Sequence, residues 1–207
     1  MKIIDVNQNT PEWLETRRGK ISGTVLGDVY SKRGTRKIGF YQIIAERLGL
    51  DPDDENRMDR GLRLEEEALD IFSKEMKLGK TTTIERPGIC ISSFSNDVMN
   101  SPDALLKSEL GYTGAVEVKC LSPARHLQAV IENKVPPEFE SQVIQYFVVN
   151  DELLVLYVVF YDPRIPSVPF HVIKVNRVDV EDKIEFFKEW QLNTLKEIDE
   201  IIESLTF

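Results

Sequence analysis

The chain is poor in the residues that staple small proteins or build metal clusters. Only two cysteines occur in 207 residues, Cys90 and Cys120, and they do not form a C-x-x-C pair. A disulfide framework, a zinc ribbon and an iron–sulfur cluster therefore have no support, and a reducing cytosol is the expected compartment. Histidine is equally scarce. His126 and His171 lie far apart in sequence, so neither His-based nuclease chemistry nor a Ser-His pair is suggested. No apolar run nears the roughly 20 residues that span a bilayer. The opening MKIIDVNQNTPEW has no signal-like apolar region, and no Walker A segment supplies an ATP motor. Internal repeats and low-complexity stretches are missing too. A cytoplasmic chain without a membrane partner is expected.

What the chain does have is charge, unevenly placed. The formal net charge is −9, which by itself argues against nucleic acid as a partner. Residues 12–37, however, hold Arg17, Arg18, Lys20, Lys32, Arg33, Arg36 and Lys37 against Glu12, Glu15 and Asp28. The acid is concentrated in 51–70 and from Asp179 onward. Local charge is more informative than the sum. With 42% hydrophobic and 29% charged residues, the composition is that of a globular protein whose length suits one domain, 1–207.

Residues 11–30 predict a short helical opening, a Gly19-Lys20 break and a helix from about Ser22, and 38–50 predict another ending near Gly49. DPDDENRMDRG reads as a polar linker and 62–76 as a helix. RPGICISSFSNDVMNSPDALL and GAVEVKC predict strands around a turn at Gly111–Gly114. PPEFESQVIQYFVVN is a largely apolar helix introduced by Pro136 and Pro137. LLVLYVVFYDP is a buried strand, PFHVIKVNR a further strand, and 179–205 a long amphipathic helix. The order is that of a mixed α/β or α+β domain.

The expected hairpin SPDALLKSELGYTGAVEVKC, 101–120, carries Asp103, Glu117 and Lys119. Alternation puts Glu117 and Lys119 on one face and Val116 and Val118 on the other. Pairing brings Asp103, in the strand before the turn, alongside Glu117. Two carboxylates held together repel unless a cation neutralises them or one keeps a proton. Mg²⁺ accepts one or two carboxylates plus substrate phosphate, and a lysine two residues on can orient or deprotonate a water there. This is equipment for metal-assisted phosphodiester hydrolysis. An ordinary surface Glu–Lys pair and an Asp serving a turn remain the alternative.

Two further residues bear on the choice. On a helical wheel, Leu62, Ala68, Leu69, Phe72 and Met76 form one stripe with Glu65 at its centre, while Glu66 and Glu67 point away. A carboxylate on a core-facing stripe needs a partner, and an ion shared with Asp103 and Glu117 would be one. Gln142 stands likewise among Phe139, Tyr146 and Val149, with a buried amide satisfied by backbone as the alternative.

Pro102-Asp103 followed by Glu117-Val118-Lys119 is the start of a longer pattern. It includes Gly61-x-x-x-Glu65-x-x-Ala68, Ser101-Pro102-Asp103, Glu117-Val118-Lys119-Cys120, Ser141-Gln142-Val143 and Tyr161-Asp162-Pro163-Arg164, preceded by Trp13-x-x-x-Arg17-x-Gly19-x-Ile21-Ser22. In order and spacing this set resembles the phage lambda exonuclease and YqaJ-type viral recombinase nucleases of the PD-(D/E)xK superfamily, from about residue 11 to the last helix. The resemblance implies a restriction-endonuclease-like core, a central mixed β-sheet flanked by helices. It implies that Asp103, Glu117, the Val118 carbonyl and Glu65 hold Mg²⁺ or Mn²⁺, two ions per site. Lys119 would position or activate the attacking water, and Gln142 would order the site.

Arg17 matches the family residue that grips a terminal 5′-phosphate, with Thr24 nearby. Arg18, Lys32 and Arg33 are the other expected DNA contacts. Physically, a guanidinium suits a phosphate and Lys32, Arg33, Arg36 and Lys37 suit a DNA backbone. An exposed pair and a solvated loop are the alternatives. The family resects linear double-stranded DNA from 5′ ends, leaves 3′ overhangs for recombination, often forms trimeric rings and works with a single-strand annealing protein. A viral or prophage origin is implied. Competing expectations are an endonuclease of restriction or junction-resolving type and a non-catalytic DNA- or protein-binding module.

Overall fold

A computed structural model describes residues 35–50, 57–76 and 82–205, together with Pro11, Glu12, Glu15 and Asp28. The helix expected from Ser22 lies outside these. Five helices are described: α1 (Ile38–Arg47), α2 (Arg57–Glu75), α3 (Pro123–Glu132), α4 (Glu140–Val149) and α5 (Glu181–Leu205). The strands are β1 (Thr83–Glu85), β2 (Cys90–Ile91), β3 (Met99–Asn100), β4 (Ala104–Ser108), β5 (Gly111–Lys119), β6 (Val155–Tyr161) and β7 (Phe170–Asn176).

A five-stranded sheet runs in the order β1-β4-β5-β6-β7, and β2 and β3 form a separate ribbon. All neighbours in the large sheet are antiparallel except β5 and β6, which are parallel. Parallel neighbours need a crossover, and α3 and α4 supply it. Helices cover both faces, which is why β6 reads as an almost unbroken apolar run. On one face Leu64, Ala68, Leu69 and Phe72 of α2 pack over Val116, Val159 and Tyr161. On the other, Ile144 and Phe147 of α4 and Ile184 of α5 pack over Ala115, Leu156, Val158 and Phe160. Tyr41 and Ala45 of α1 meet Ala124 and Leu127 of α3 in a third cluster.

The expected mixed sheet flanked by helices is what forms, with four local corrections. The turn lies at Glu109–Leu110, not at Gly111–Gly114, and both glycines belong to β5. Gly111 takes φ +91°, which a side chain would resist, and a Cβ on Gly114 would come within 2.9 Å of Leu106. Between them the ladder slips: Leu106 faces Gly114 but Lys107 faces Tyr112, leaving Thr113 as a bulge. Helix α3 was not expected; it starts with Pro123 in its first turn and ends on Asn133 at φ 48°. Residues 57–61 of the supposed linker are the first turns of α2. Finally β2 and β3, read as part of the long hairpin, pair only with each other.

Candidate active site

The site lies where β4 begins and β5 ends. Glu117 and Lys119 share the face of β5 that looks toward α4, while Val116 and Val118 belong to the α2 side. Pairing of β4 with β5 stops at Ala104↔Val116, so the Val118 N–H has no backbone partner from β4. Asp103, in the bend just ahead of β4 rather than within the strand, supplies one: its Oδ2 accepts from Val118 N at 2.6 Å. The carboxylate thus continues the ladder by one rung and is fixed beside Glu117.

Glu117 is 4% exposed. Its Oε1 accepts from Lys119 Nζ at 2.5 Å and from Gln142 Nε2 at 2.7 Å, and Lys119 also donates to Gln142 Oε1 at 2.7 Å. The buried Tyr146 hydroxyl donates to Glu117 Oε2. Gln142 and Tyr146 stand four residues apart on one face of α4, so a single helix grips both oxygens of one carboxylate. Gln142 is at an exposed position, and its amide is satisfied by Glu117 and Lys119, not by backbone in a core. Tyr146 was read only as an apolar neighbour of Gln142. The i, i+4 spacing of an amide and a hydroxyl was the signal that could have found it.

Negative charge is in surplus here. Burial, and then the charge of Glu117, push the Asp103 carboxyl from 3.8 up to about 7; the Val118 N–H opposes this and Glu65 adds to it. Burial, then Glu117, raises the Tyr146 hydroxyl, which stays a donor. Glu65 lies on the α2 stripe between the buried Leu69 and Phe72, is itself half-buried, and pairs its carboxylate with Arg86, just past β1. Met76 is exposed and lies beyond the end of α2. Among the described residues no group of three or more His, Cys, Asp or Glu is disposed to hold a metal. The pair Asp103 and Glu117 still fits a hard divalent ion that keeps most of its own waters.

A second buried carboxylate lies next to this one. Asp162, fully buried, accepts from Arg60 Nη2 at 2.9 Å and from Arg164 Nε and Nη2, both at 2.8 Å. Arg60 also donates to the carbonyls of Cys120 and Leu121, clamping the chain just past Lys119. Two motifs seen separately in the sequence, around Gly61 and at Tyr161–Arg164, therefore meet through Arg60 and Asp162. His126 is fully buried with Nε2 on the Val168 carbonyl. Arg17, Arg18, Thr24, Lys32 and Arg33 lie outside the described residues. Of the same basic stretch, Arg36 stacks over Phe40 at 4.7 Å and Lys37 lies 3.8 Å from Asp28.

No helix of the described residues is long and apolar enough to cross a membrane. Among curated protein sequences none matches the chain. Crystal structures of LHK-Exo are among those that share its fold. LHK-Exo in complex with dAMP has 21% identity and a TM-score of 0.54, covering 95% of this chain and 100% of that one. An alkaline exonuclease, LHK-Exo, from Laribacter hongkongensis has 22% identity, a TM-score of 0.54 and the same coverage. Residues 12–152 match the family described as the YqaJ-like viral recombinase domain. That span takes in Glu65, Asp103, Glu117, Lys119, Gln142 and Tyr146, the whole constellation at the end of β5, and the chain belongs to this family.

Proposed function

We propose that the chain is a metal-dependent deoxyribonuclease that degrades linear double-stranded DNA from 5′ ends, leaving 3′ single-stranded overhangs for recombination. The observation that carries this reading is the pair of carboxylates fixed at a sheet end, Asp103 on the Val118 N–H and Glu117 on the Lys119 ammonium. Such a pair is costly to a fold unless a further cation is meant to bind.

Asp103 and Glu117, with the Val118 carbonyl and Glu65, would hold Mg²⁺, or Mn²⁺ in its place, as one or two ions. Bound there, the ion lowers the pKa of a water and offsets charge on the scissile phosphate. Lys119 aligns a water for in-line attack and Gln142 orders both Glu117 and Lys119. Tyr146 keeps the Glu117 carboxylate turned toward the site. Arg17 grips the terminal 5′-phosphate with Thr24 beside it, and Arg18, Lys32 and Arg33 follow the DNA backbone. A trimeric ring would gather these basic segments around DNA and leave the acidic helices outside. A single-strand annealing protein would take up the overhang, and the work is done in the cytoplasm by one domain spanning 1–207.

The test uses a linear duplex labelled on each strand, with and without 5′-phosphate, in Mg²⁺ or EDTA, beside a closed circle. Metal-dependent loss of nucleotides from 5′ ends is expected, faster with the phosphate and absent on the circle. Nicking of the circle would replace this reading with an endonuclease. DNA binding without cleavage in any divalent metal would leave a non-catalytic module.

A further inference from the structure

Lysine at a strand end is a long, flexible side chain, and a role in aligning water requires its ammonium to be held in one place. Two of the contacts that hold it are polar, Glu117 Oε1 at 2.5 Å and Gln142 Oε1 at 2.7 Å. The third is aromatic: Lys119 Nζ lies 4.8 Å from the centroid of the Phe139 ring. An ammonium at that distance over a ring face is attracted by the ring quadrupole, and more strongly where water is partly excluded. The Lys119 side chain is 14% exposed.

Phe139 is placed by the same element that places the rest of the site. It ends the 3-10 turn Pro137–Phe139, its N–H donates to the Pro136 carbonyl at 3.0 Å, and it caps the start of α4. Two prolines stiffen the entry. Spacings of three and four then put Phe139, Gln142 and Tyr146 on one helical stripe facing Glu117 and Lys119. Packing alone does not account for the ring. Phe139 is only half-buried and stands outside the three apolar clusters described above.

We propose that Phe139 is a positioning residue: its ring face holds the Lys119 ammonium against Glu117 and Gln142, so that α4 fixes both the carboxylate and the lysine of the reaction. The inference rests on the role given to Lys119 above, and two measurements keep the two apart. The first needs neither metal nor activity. In the metal-free protein with ¹³C-labelled lysine, the ε-CH₂ signal that disappears in Lys119→Ala should lie upfield of the other lysines, shifted by the ring current. It should return to the ordinary lysine position in Phe139→Leu and stay shifted in Phe139→Trp.

The second is steady-state cleavage of the linear duplex. Phe139→Leu should lower kcat about 3- to 30-fold at nearly unchanged KM, and Phe139→Trp should restore most of it. Phenylalanines of increasing fluorination at position 139, which weaken the ring quadrupole with little change of shape, should lower log kcat in graded steps. That series answers the question even if the leucine variant folds poorly. An unshifted Lys119 signal, or wild-type kcat throughout the fluorinated series while Lys119→Ala is inactive, overturns the inference alone. Lys119→Ala cleaving at the wild-type rate overturns the role of Lys119 and this inference with it.

Discussion

Carboxylates are sunk into this fold at two places near the end of β5, and the two places treat them in opposite ways. Asp162 faces two guanidinium groups, Arg60 and Arg164, which together supply its side-chain donors. Cation outnumbers anion there, and the node ties α2, the end of β5 and the end of β6 together. A few residues away the balance reverses. Asp103 and Glu117, with Glu65 near enough to add to the repulsion, answer to one lysine, and Asp103 is pushed up to about 7. The difference separates a carboxylate used for architecture from a pair kept short of positive charge. Burial and charge are common to both; the sign of the local surplus is what distinguishes them.

The comparison breaks if exchanging the two kinds of residue gives the same phenotype. The largest expected effect is on the short-of-cation side. Lys119→Ala or Asp103→Asn should cut cleavage about 10²- to 10⁴-fold, with the far-ultraviolet spectrum close to wild type and, for Asp103→Asn above pH 7, a urea midpoint at or above that of wild type. A variant that unfolds instead would make this site structural. On the other side, Asp162→Asn leaves the buried Arg60 without its carboxylate and should cost about 3–5 kcal/mol in urea unfolding. Wild-type stability in that variant would contradict the architectural role.

The next effect is one of pH. Asp103 sits near 4 in the unfolded chain and about 7 in the fold, so the native state holds a proton that the unfolded state has released between those values. The Asp103 contribution to the stability of the metal-free protein should therefore be fully present below pH 4, fall through the window from 4 to 7 by as much as a few kcal/mol, and level off above it. Asp103→Asn should flatten that slope; an unchanged slope in urea melts across the window would show that Asp103 does not titrate there. Tyr146→Phe keeps the buried ring but withdraws the donor from Glu117, and about a tenfold weaker response of cleavage to Mg²⁺ is expected. An unaltered Mg²⁺ titration would reduce Tyr146 to packing. Smallest is Arg86→Ala, which frees Glu65 from an exposed ion pair and should shift the Mg²⁺ midpoint downward by about two- to threefold.

Much of this architecture was legible because strong patterns and fold agree. The run at β6 is apolar throughout since both its faces are covered, and the alternation in β5 puts Glu117 and Lys119 together as period two requires. The failures have physical causes. Helix α3 is only ten residues long and opens on Ser122-Pro123, a pair that equally favours a turn. The turn was misplaced because glycine marks a turn in most sequences, whereas here Gly114 is needed for the approach of Leu106. The helical wheel placed Glu65 between Phe72 and Leu69, both of them buried, but its partner Arg86 lies 21 positions away, past β1. The partnership of Arg60 with Asp162 spans 102 positions, and no local pattern reports a contact of that range. Tyr146 was within reach, since its spacing from Gln142 is local.

The bulge at Thr113 separates two stretches of β5 with different tolerance for changes in chain length. Ahead of it, toward the Glu109–Leu110 turn, a residue gained or lost is taken up by the slip already present between Leu106 and Lys107. Beyond it, between Gly114 and Lys119, the strand is locked to β4 on one side and β6 on the other, and one extra residue would turn Glu117 and Lys119 toward α2. Homologous chains should accordingly vary in length before the bulge and hold a fixed count after it. An engineered tag or loop placed at 109–110 should leave the site in phase.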